Sequence, residues 1–192
     1  MIVLTSAISN ISEMEKIEHY ISDIAQNNGH AAMEQLYLCT KDAVYGYALS
    51  ILKSTHDAED VLHDCYLSVF HSAPGYTASG KPMAWIFTIV RNLCLSRLRS
   101  RSRFSDLPEE DWEPYLETNQ QLSPEDRIVL EHCLRDLAED EREILLLHAL
   151  SGMKHREIAA LMNRPLSTVL SRYHRALRKM RELLKEEDRE NE

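Results

Sequence analysis

Glycine and proline are scarce in this 192-residue chain, with five and six residues respectively, and no stretch alternates in the manner of a half-buried strand. Leu, Ala, Glu and Arg fill the sequence instead, which predicts an all-α protein. No apolar stretch approaches the ~20 residues that span a bilayer, and the start lacks a basic region followed by an apolar run. A cytoplasmic chain without membrane insertion is expected. Cys39, Cys65, Cys94 and Cys133 are widely spaced with no CxxC pair, so they read as reduced, buried residues rather than a metal or disulfide framework. HExxH and HxxxH spacings are also missing. His63-Asp64, a dipeptide used by some metal phosphohydrolases, has no evident companion ligands, and a surface or core histidine is the favoured reading. These absences argue against an enzyme or a metal centre.

What the chain has is charge in blocks. The net charge of −9 is the wrong sign for an ordinary nucleic-acid binder, yet residues 81–103 carry six bases and no acid, and 154–181 carry eight bases and one acid. Residues 1–80 are net −7, residues 104–143 net −11, and the tail from 182 net −4. Two cationic patches that can hold nucleic acid are thus set in an acidic chain that repels it or binds a basic partner.

The second patch has a recognisable architecture. Ile158, Ala159, Leu161 and Met162 share one helical face, and Asn163-Arg164-Pro165 then breaks the period. Asn tolerates the left-handed conformation that closes a helix, Pro suits the start of the next, and Ser167 and Thr168 offer oxygens to its first free amides. Val169, Tyr173, Ala176, Leu177 and Met180 form the apolar stripe of that second helix, opposite Arg172, Arg175, Arg178, Lys179 and Arg181. A helix-turn-helix with its second helix in a major groove is expected. Alone, the basic helix would more simply be a solvated packing helix; the preceding helix and turn favour the groove.

Upstream, a short helix over Ser12–Gln26 is predicted to close at Asn27-Asn28-Gly29. A long amphipathic helix follows over Ala31–Lys53, stopped by Ser54-Thr55-His56. Asp57-Ala58-Glu59-Asp60 opens the next helix with acids at the positive end of its dipole. After a loop over Ala73–Pro82, Lys81–Arg101 reads as a helix that is apolar and aromatic at first and arginine-rich later. Residues 102–124, with Ser, Pro and acids but little periodic apolar signal, read as a linker. Ser123-Pro124-Glu125-Asp126 is a plausible capped start for a second helical set, with another helix over Glu141–Leu150. The expected organisation is an N-terminal extension (1–30), a helical domain (31–101), an acidic linker (102–124), a second helical domain (125–184) and an acidic tail (185–192).

DAEDVLHDCYLSVF at 57–70, AWIFTIVRNLCLSRLR at 84–99 and STVLSRYHRA at 167–176 occur in an order that resembles an extracytoplasmic-function sigma factor of the sigma-70 family. The resemblance covers about residues 31–184. It implies that the first domain is sigma region 2, contacting the clamp helices of core RNA polymerase and the −10 promoter element. The second would be region 4, contacting the −35 element and the polymerase flap. Promoter DNA and an anti-sigma protein are the implied further partners, and no cofactor is implied. The matched −35 positions are Ser171, Arg172, His174 and Arg175, with Arg178 and Lys179 on phosphates; an arginine bidentate to guanine discriminates by about 1–3 kcal/mol.

Asp57, Glu59, Asp60 and Asp64 are the candidate polymerase contacts, although the first three also read as an ordinary helix N-terminal charge cluster. Trp85, Phe87, Arg91, Asn92, Ser96, Arg97 and Arg99 are the candidates for −10 binding and melting, because unstacked bases need aromatic and amide surfaces beside arginines that follow phosphates. Trp85 and Phe87 are more often core residues. Leu170, Ser96 and His63 depart from residues common in the family, and Leu170 removes a usual cation. The alternative function is a helix-turn-helix regulator that works without being a polymerase subunit.

Overall fold

The computed structural model describes residues 2–26, 29–101 and 132–190, and among them only helices, turns and loops occur. Helix α1 spans Ile2–Ala25, α2 Gly29–Leu52, α3 Thr55–Ser72, α4 Pro82–Arg101, α5 Glu139–Ser151, α6 His155–Leu161 and α7 Leu166–Glu190. Residues 132–135 add a helical turn before α5. The expected linker and the capped start at 123–126 lie outside the described residues.

Helix boundaries follow local chemistry. Lys53 adopts a left-handed φ of 51° after α2, and the Ser54 side chain accepts a hydrogen bond from the Asp57 N–H at 3.3 Å to cap α3. Gly152, at φ 67°, ends α5 in the left-handed conformation that glycine adopts without Cβ strain. Asn163, at φ 51°, makes the turn between α6 and α7 as its side-chain type anticipates. Several boundaries differ from those expected. α1 begins ten residues earlier than Ser12, because nothing in its N-terminal segment breaks a helix. Gly29 opens α2 rather than closing α1; a Cβ there would meet the Phe70 ring at 3.0 Å, so its absence lets α2 and α3 approach. Ser167 and Thr168 lie inside the first turn of α7, which starts at Leu166, instead of preceding it.

α1, α2, α3 and α4 pack around Ile21, Leu36, Val44, Tyr47, Val61, Val69, Ile86 and Phe87, all essentially without solvent contact. The C-terminal half of α1 is therefore part of this packing: Ile17, Ile21 and Ile24 place one face of the helix in the core, each contributing about 1.5–3 kcal/mol. The same apolar cluster continues through Ile144 and Leu147 of α5, Ile158 and Ala159 of α6, and Val169 of α7. α5 thus lies against both α2 and α4, and the two helical sets share one core.

Candidate nucleic-acid interface

α4 presents three sides with different tasks. Trp85, Asn92, Ser96 and Arg99 recur at helical spacing on one strip, with Asn92, Ser96 and Arg99 exposed and Trp85 half-buried against Tyr76, ring centroids 4.8 Å apart. Phe87, on the opposite side, is 0% exposed and meets the Tyr47 ring edge at 5.0 Å. That corrects its assignment to DNA binding: its apolar ring fills the core and supports α4 from behind.

Arg91, Arg97 and Arg101 sit on the flanks of α4 in ion pairs. On the α3 side, Arg97 pairs with Asp57 at 2.9 Å and with Asp60, while Arg101 holds the other Asp57 oxygen at 2.8 Å. Burial would lower the Arg97 pKa, but the Asp57 and Asp60 carboxylates outweigh it and raise it. On the α5 side, Arg91 donates to Glu143 at 2.7 Å, and the Tyr47 hydroxyl donates to the same carboxylate at 3.2 Å. Both members of the Arg91–Glu143 pair are largely buried, at 13% and 16% exposure, so its electrostatics are stronger than those of a surface pair. The Tyr47 phenol is pushed well above its ordinary pKa by burial and then by Glu143, and it stays a donor.

α7 repeats this division. Ser167, Ser171, His174, Arg178 and Arg181 form its exposed strip. Arg172, Arg175 and Lys179 lie on the flank facing α5: Arg172 pairs with Asp140, Arg175 with Glu141 at 3.4 Å, and Lys179 with Glu141 at 2.9 Å. Burial alone would raise the Glu141 pKa, but hydrogen bonds from Lys179 and the Ala138 N–H, with Arg175 nearby, hold it below the carboxylate norm. Of the six predicted −35 residues, Ser171, His174 and Arg178 are thus the ones directed to solvent without an α5 acid beside them. Leu170 is half-buried, in keeping with a leucine in place of a cation.

The predicted polymerase residues also divide. Glu59 and Asp64 are exposed on α3, whereas Asp57 and Asp60 are held by arginines of α4. Glu59 rims a groove of about 690 Å³ between α2 and α3, lined also by Tyr37, Lys41, His63, Leu67 and Phe70. Tyr37, Leu67 and Phe70 are among the most exposed large apolar side chains of the described residues. Their exposure was not legible one residue at a time; the clue is that Leu67 and Phe70 lie off the Val61–Cys65–Val69 stripe that faces the core.

Cys65 and Cys94 are buried and their thiols are pushed up to about 12, which agrees with inert core residues; Cys39 is exposed instead, because it lies on the solvent side of α2. Among the described residues no His, Cys, Asp or Glu group is arranged to hold a metal ion, and no helix is long and apolar enough to cross a membrane.

Comparison with known proteins gives both helical sets the same parentage. Residues 36–104 match the family model for sigma-70 region 2, and residues 127–180 match that for sigma-70 region 4. The ECF RNA polymerase sigma factor SigE of Mycolicibacterium smegmatis is 33% identical over 149 residues, covering 74% of this chain and 58% of that protein. SigK of Mycobacterium bovis is 26% identical over 165 residues, covering 81% and 88%. Among solved structures, the sigma factor RpoE of Bartonella quintana, crystallised with the anti-sigma factor NepR, superposes with a TM-score of 0.63 at 28% identity over 79% of this chain and 96% of that one. CnrH, in complex with the cytosolic domain of CnrY, shares the fold with a TM-score of 0.56 at 23% identity, covering 88% and 97%. With both conserved modules matched in order on one all-helical chain, the protein belongs to the sigma-70 family as an RNA polymerase sigma factor of the extracytoplasmic-function group.

Proposed function

We propose that the chain directs core RNA polymerase to promoters through two separate strips, one on α4 for opened DNA and one on α7 for duplex DNA. The observation that carries this reading is the sidedness of the two basic helices, each with an exposed polar strip opposite its packed face. Trp85, Asn92, Ser96 and Arg99 would receive the non-template strand of the −10 element, with aromatic stacking, amide hydrogen bonds and a phosphate contact on one line. Ser171 and His174 would enter the major groove of the −35 element with Arg178 on a flanking phosphate, and Arg172, Arg175 and Lys179 would reach DNA by exchanging Asp140 and Glu141 for phosphate or guanine.

The α2–α3 groove suits the docking of the polymerase clamp, since it combines the apolar Tyr37, Leu67 and Phe70 with the acid Glu59, and Asp64 adds an exposed carboxylate on the same helix. Region 4 would meet the flap. On this reading residues 1–101 and 125–184 act as the two working units and 102–124 as their tether. The arrangement with Glu143 on Arg91 is a closed one, and engagement of the polymerase separates the units and frees Arg91. An anti-sigma protein is a further expected partner by analogy with the Bartonella quintana factor, whose structure was determined with one. The protein would work in the cytoplasm, by binding, and leave the chemistry of RNA synthesis to the polymerase.

The test is transcription of genomic DNA by purified core polymerase with and without the chain. Discrete new start sites support the proposal. A chain that binds duplex DNA as a dimer yet starts no transcript would instead be an independent regulator.

A further inference from the structure

α1 lies outside the region 2 family match at 36–104, yet one of its side chains reaches the loop that leads into α4. A single oxygen of Glu18, Oε1, accepts three hydrogen bonds: from the Tyr76 hydroxyl at 2.9 Å, the Ser79 N–H at 3.0 Å and the Gly80 N–H at 3.0 Å. Convergence of three donors on one carboxylate oxygen is strong and directional, because each bond is charge-assisted. Residues 76–81 have no regular secondary structure, and Gly80 turns the chain at φ 68°, so the loop's course depends on such outside contacts. α1 does not need Glu18 for its own attachment, since Ile17, Ile21 and Ile24 already seat it in the core.

The consequence extends to Trp85. The Tyr76 ring, held at its hydroxyl by Glu18, lies against the Trp85 ring at 4.8 Å with the planes 50° apart. We propose that Glu18 is a positioning residue for promoter opening: through Tyr76 and the 76–81 loop it fixes Trp85 at the head of the Asn92–Ser96–Arg99 strip, ready to stack on an unpaired base. This rests on the reading of that strip as the −10 surface. Burial, and then Glu18 itself, push the Tyr76 phenol up to about 12, so the hydroxyl remains protonated and the link to the carboxylate holds throughout the working range. Lys81, at the far end of the loop, donates to Glu157 of α6 at 2.5 and 2.7 Å, a tie that depends on the two helical sets being closed, whereas Glu18 lies within the first set and fixes the loop in either arrangement.

The test uses holoenzymes made with wild-type, Glu18→Ala, Glu18→Gln, Trp85→Ala and doubly substituted Glu18→Ala/Trp85→Ala chains. Each is titrated with a fluorescein-labelled single strand bearing the non-template −10 sequence of the strongest start site that wild-type holoenzyme uses on genomic DNA. Glu18→Ala is expected to weaken binding roughly tenfold, within the range that one base–aromatic stack supplies. Glu18→Gln, whose amide oxygen still accepts from the loop N–H groups, should stay within about threefold of wild type. The double variant should bind no worse than Trp85→Ala, while core polymerase affinity of Glu18→Ala matches wild type.

Wild-type binding by Glu18→Ala alongside a weakened Trp85→Ala overturns the positioning role and leaves the −10 surface intact. Wild-type binding by Trp85→Ala removes the surface itself. A double variant weaker than Trp85→Ala by the full Glu18 factor, or a parallel loss of core affinity in Glu18→Ala, also overturns it.

Discussion

α4 and α7 carry similar arginine content and the same division into a solvent strip and an ion-paired flank, but they are held in place by different means. α7 has one apolar face, and its flank cations pair with Asp140 and Glu141, which belong to the adjacent helix of its own unit. α4 is buried along its first half, and its flanks are gripped from two sides, by Asp57 and Asp60 within its unit and by Glu143 from the other. α7 is therefore oriented locally, whereas the placement of α4 also depends on the second helical set. Duplex binding should be the autonomous function and strand capture the conditional one.

The largest effect separates support from contact on α4. Phe87→Ala should cost about 3–5 kcal/mol in urea unfolding, as for a fully buried aromatic ring. Asn92→Ala, on the exposed strip, should stay within about 0.5 kcal/mol of wild type while weakening the holoenzyme's hold on −10 single strands. Equal stability of the two variants would remove the distinction between the faces.

Next in size is the contact between units. Glu143→Ala leaves Arg91 largely buried without its carboxylate, at a cost of about 1–3 kcal/mol to the closed arrangement. Dye pairs placed on α3 and α7 should report greater separation in Glu143→Ala, and no change in Asp140→Ala, whose partners lie within region 4. A smaller effect concerns salt. Arg178→Ala should reduce the slope of log affinity against log salt for the −35 duplex by about 0.9, the loss of one phosphate contact, and weaken all sequences alike. Glu141→Gln should steepen the slope, because Arg175 and Lys179 lose their competing acid.

The smallest effect is acid sensitivity of region 4. His155 stacks on His148 at 4.5 Å and contacts Tyr173 at 4.4 Å, and its buried Nε2 has no partner among the described residues. Burial, with His148 of α5 and His174 of α7, lowers its pKa below the ordinary 6.5. The folded state thus keeps His155 neutral while the unfolded state takes up a proton, so its contribution is complete above about pH 6.5 and declines as pH falls through the lower folded value. His155→Phe should flatten the melting-temperature profile in that acidic window; an unchanged profile would assign the sensitivity to other groups.

The all-helical class, the turn at Asn163 and the apolar stripe of α7 were legible because each is a local property: composition, a residue tolerant of positive φ, a 3.6-residue period. The two basic modules were legible as charge blocks. What the sequence did not disclose is which arginines of a block face an acid. Arg97 and Asp57 are forty positions apart, and Arg91 and Glu143 lie on different units, so only packing brings them together. Phe87 and Trp85 belong to one aromatic-rich segment, yet the helical phase relative to α2 buries one and leaves the other at the edge. α1 gave no motif at all, since its contribution at Glu18 is defined by a loop about sixty residues away.

Permanganate and nuclease footprinting of holoenzyme on one mapped promoter tests the division of labour most directly. With Asn92→Ala/Arg99→Ala, the account predicts that −35 protection persists while −10 thymines lose permanganate reactivity; with His174→Ala/Arg178→Ala, −35 protection is lost first. Full −10 opening by the α4 variant, or intact −35 protection by the α7 variant, would contradict it.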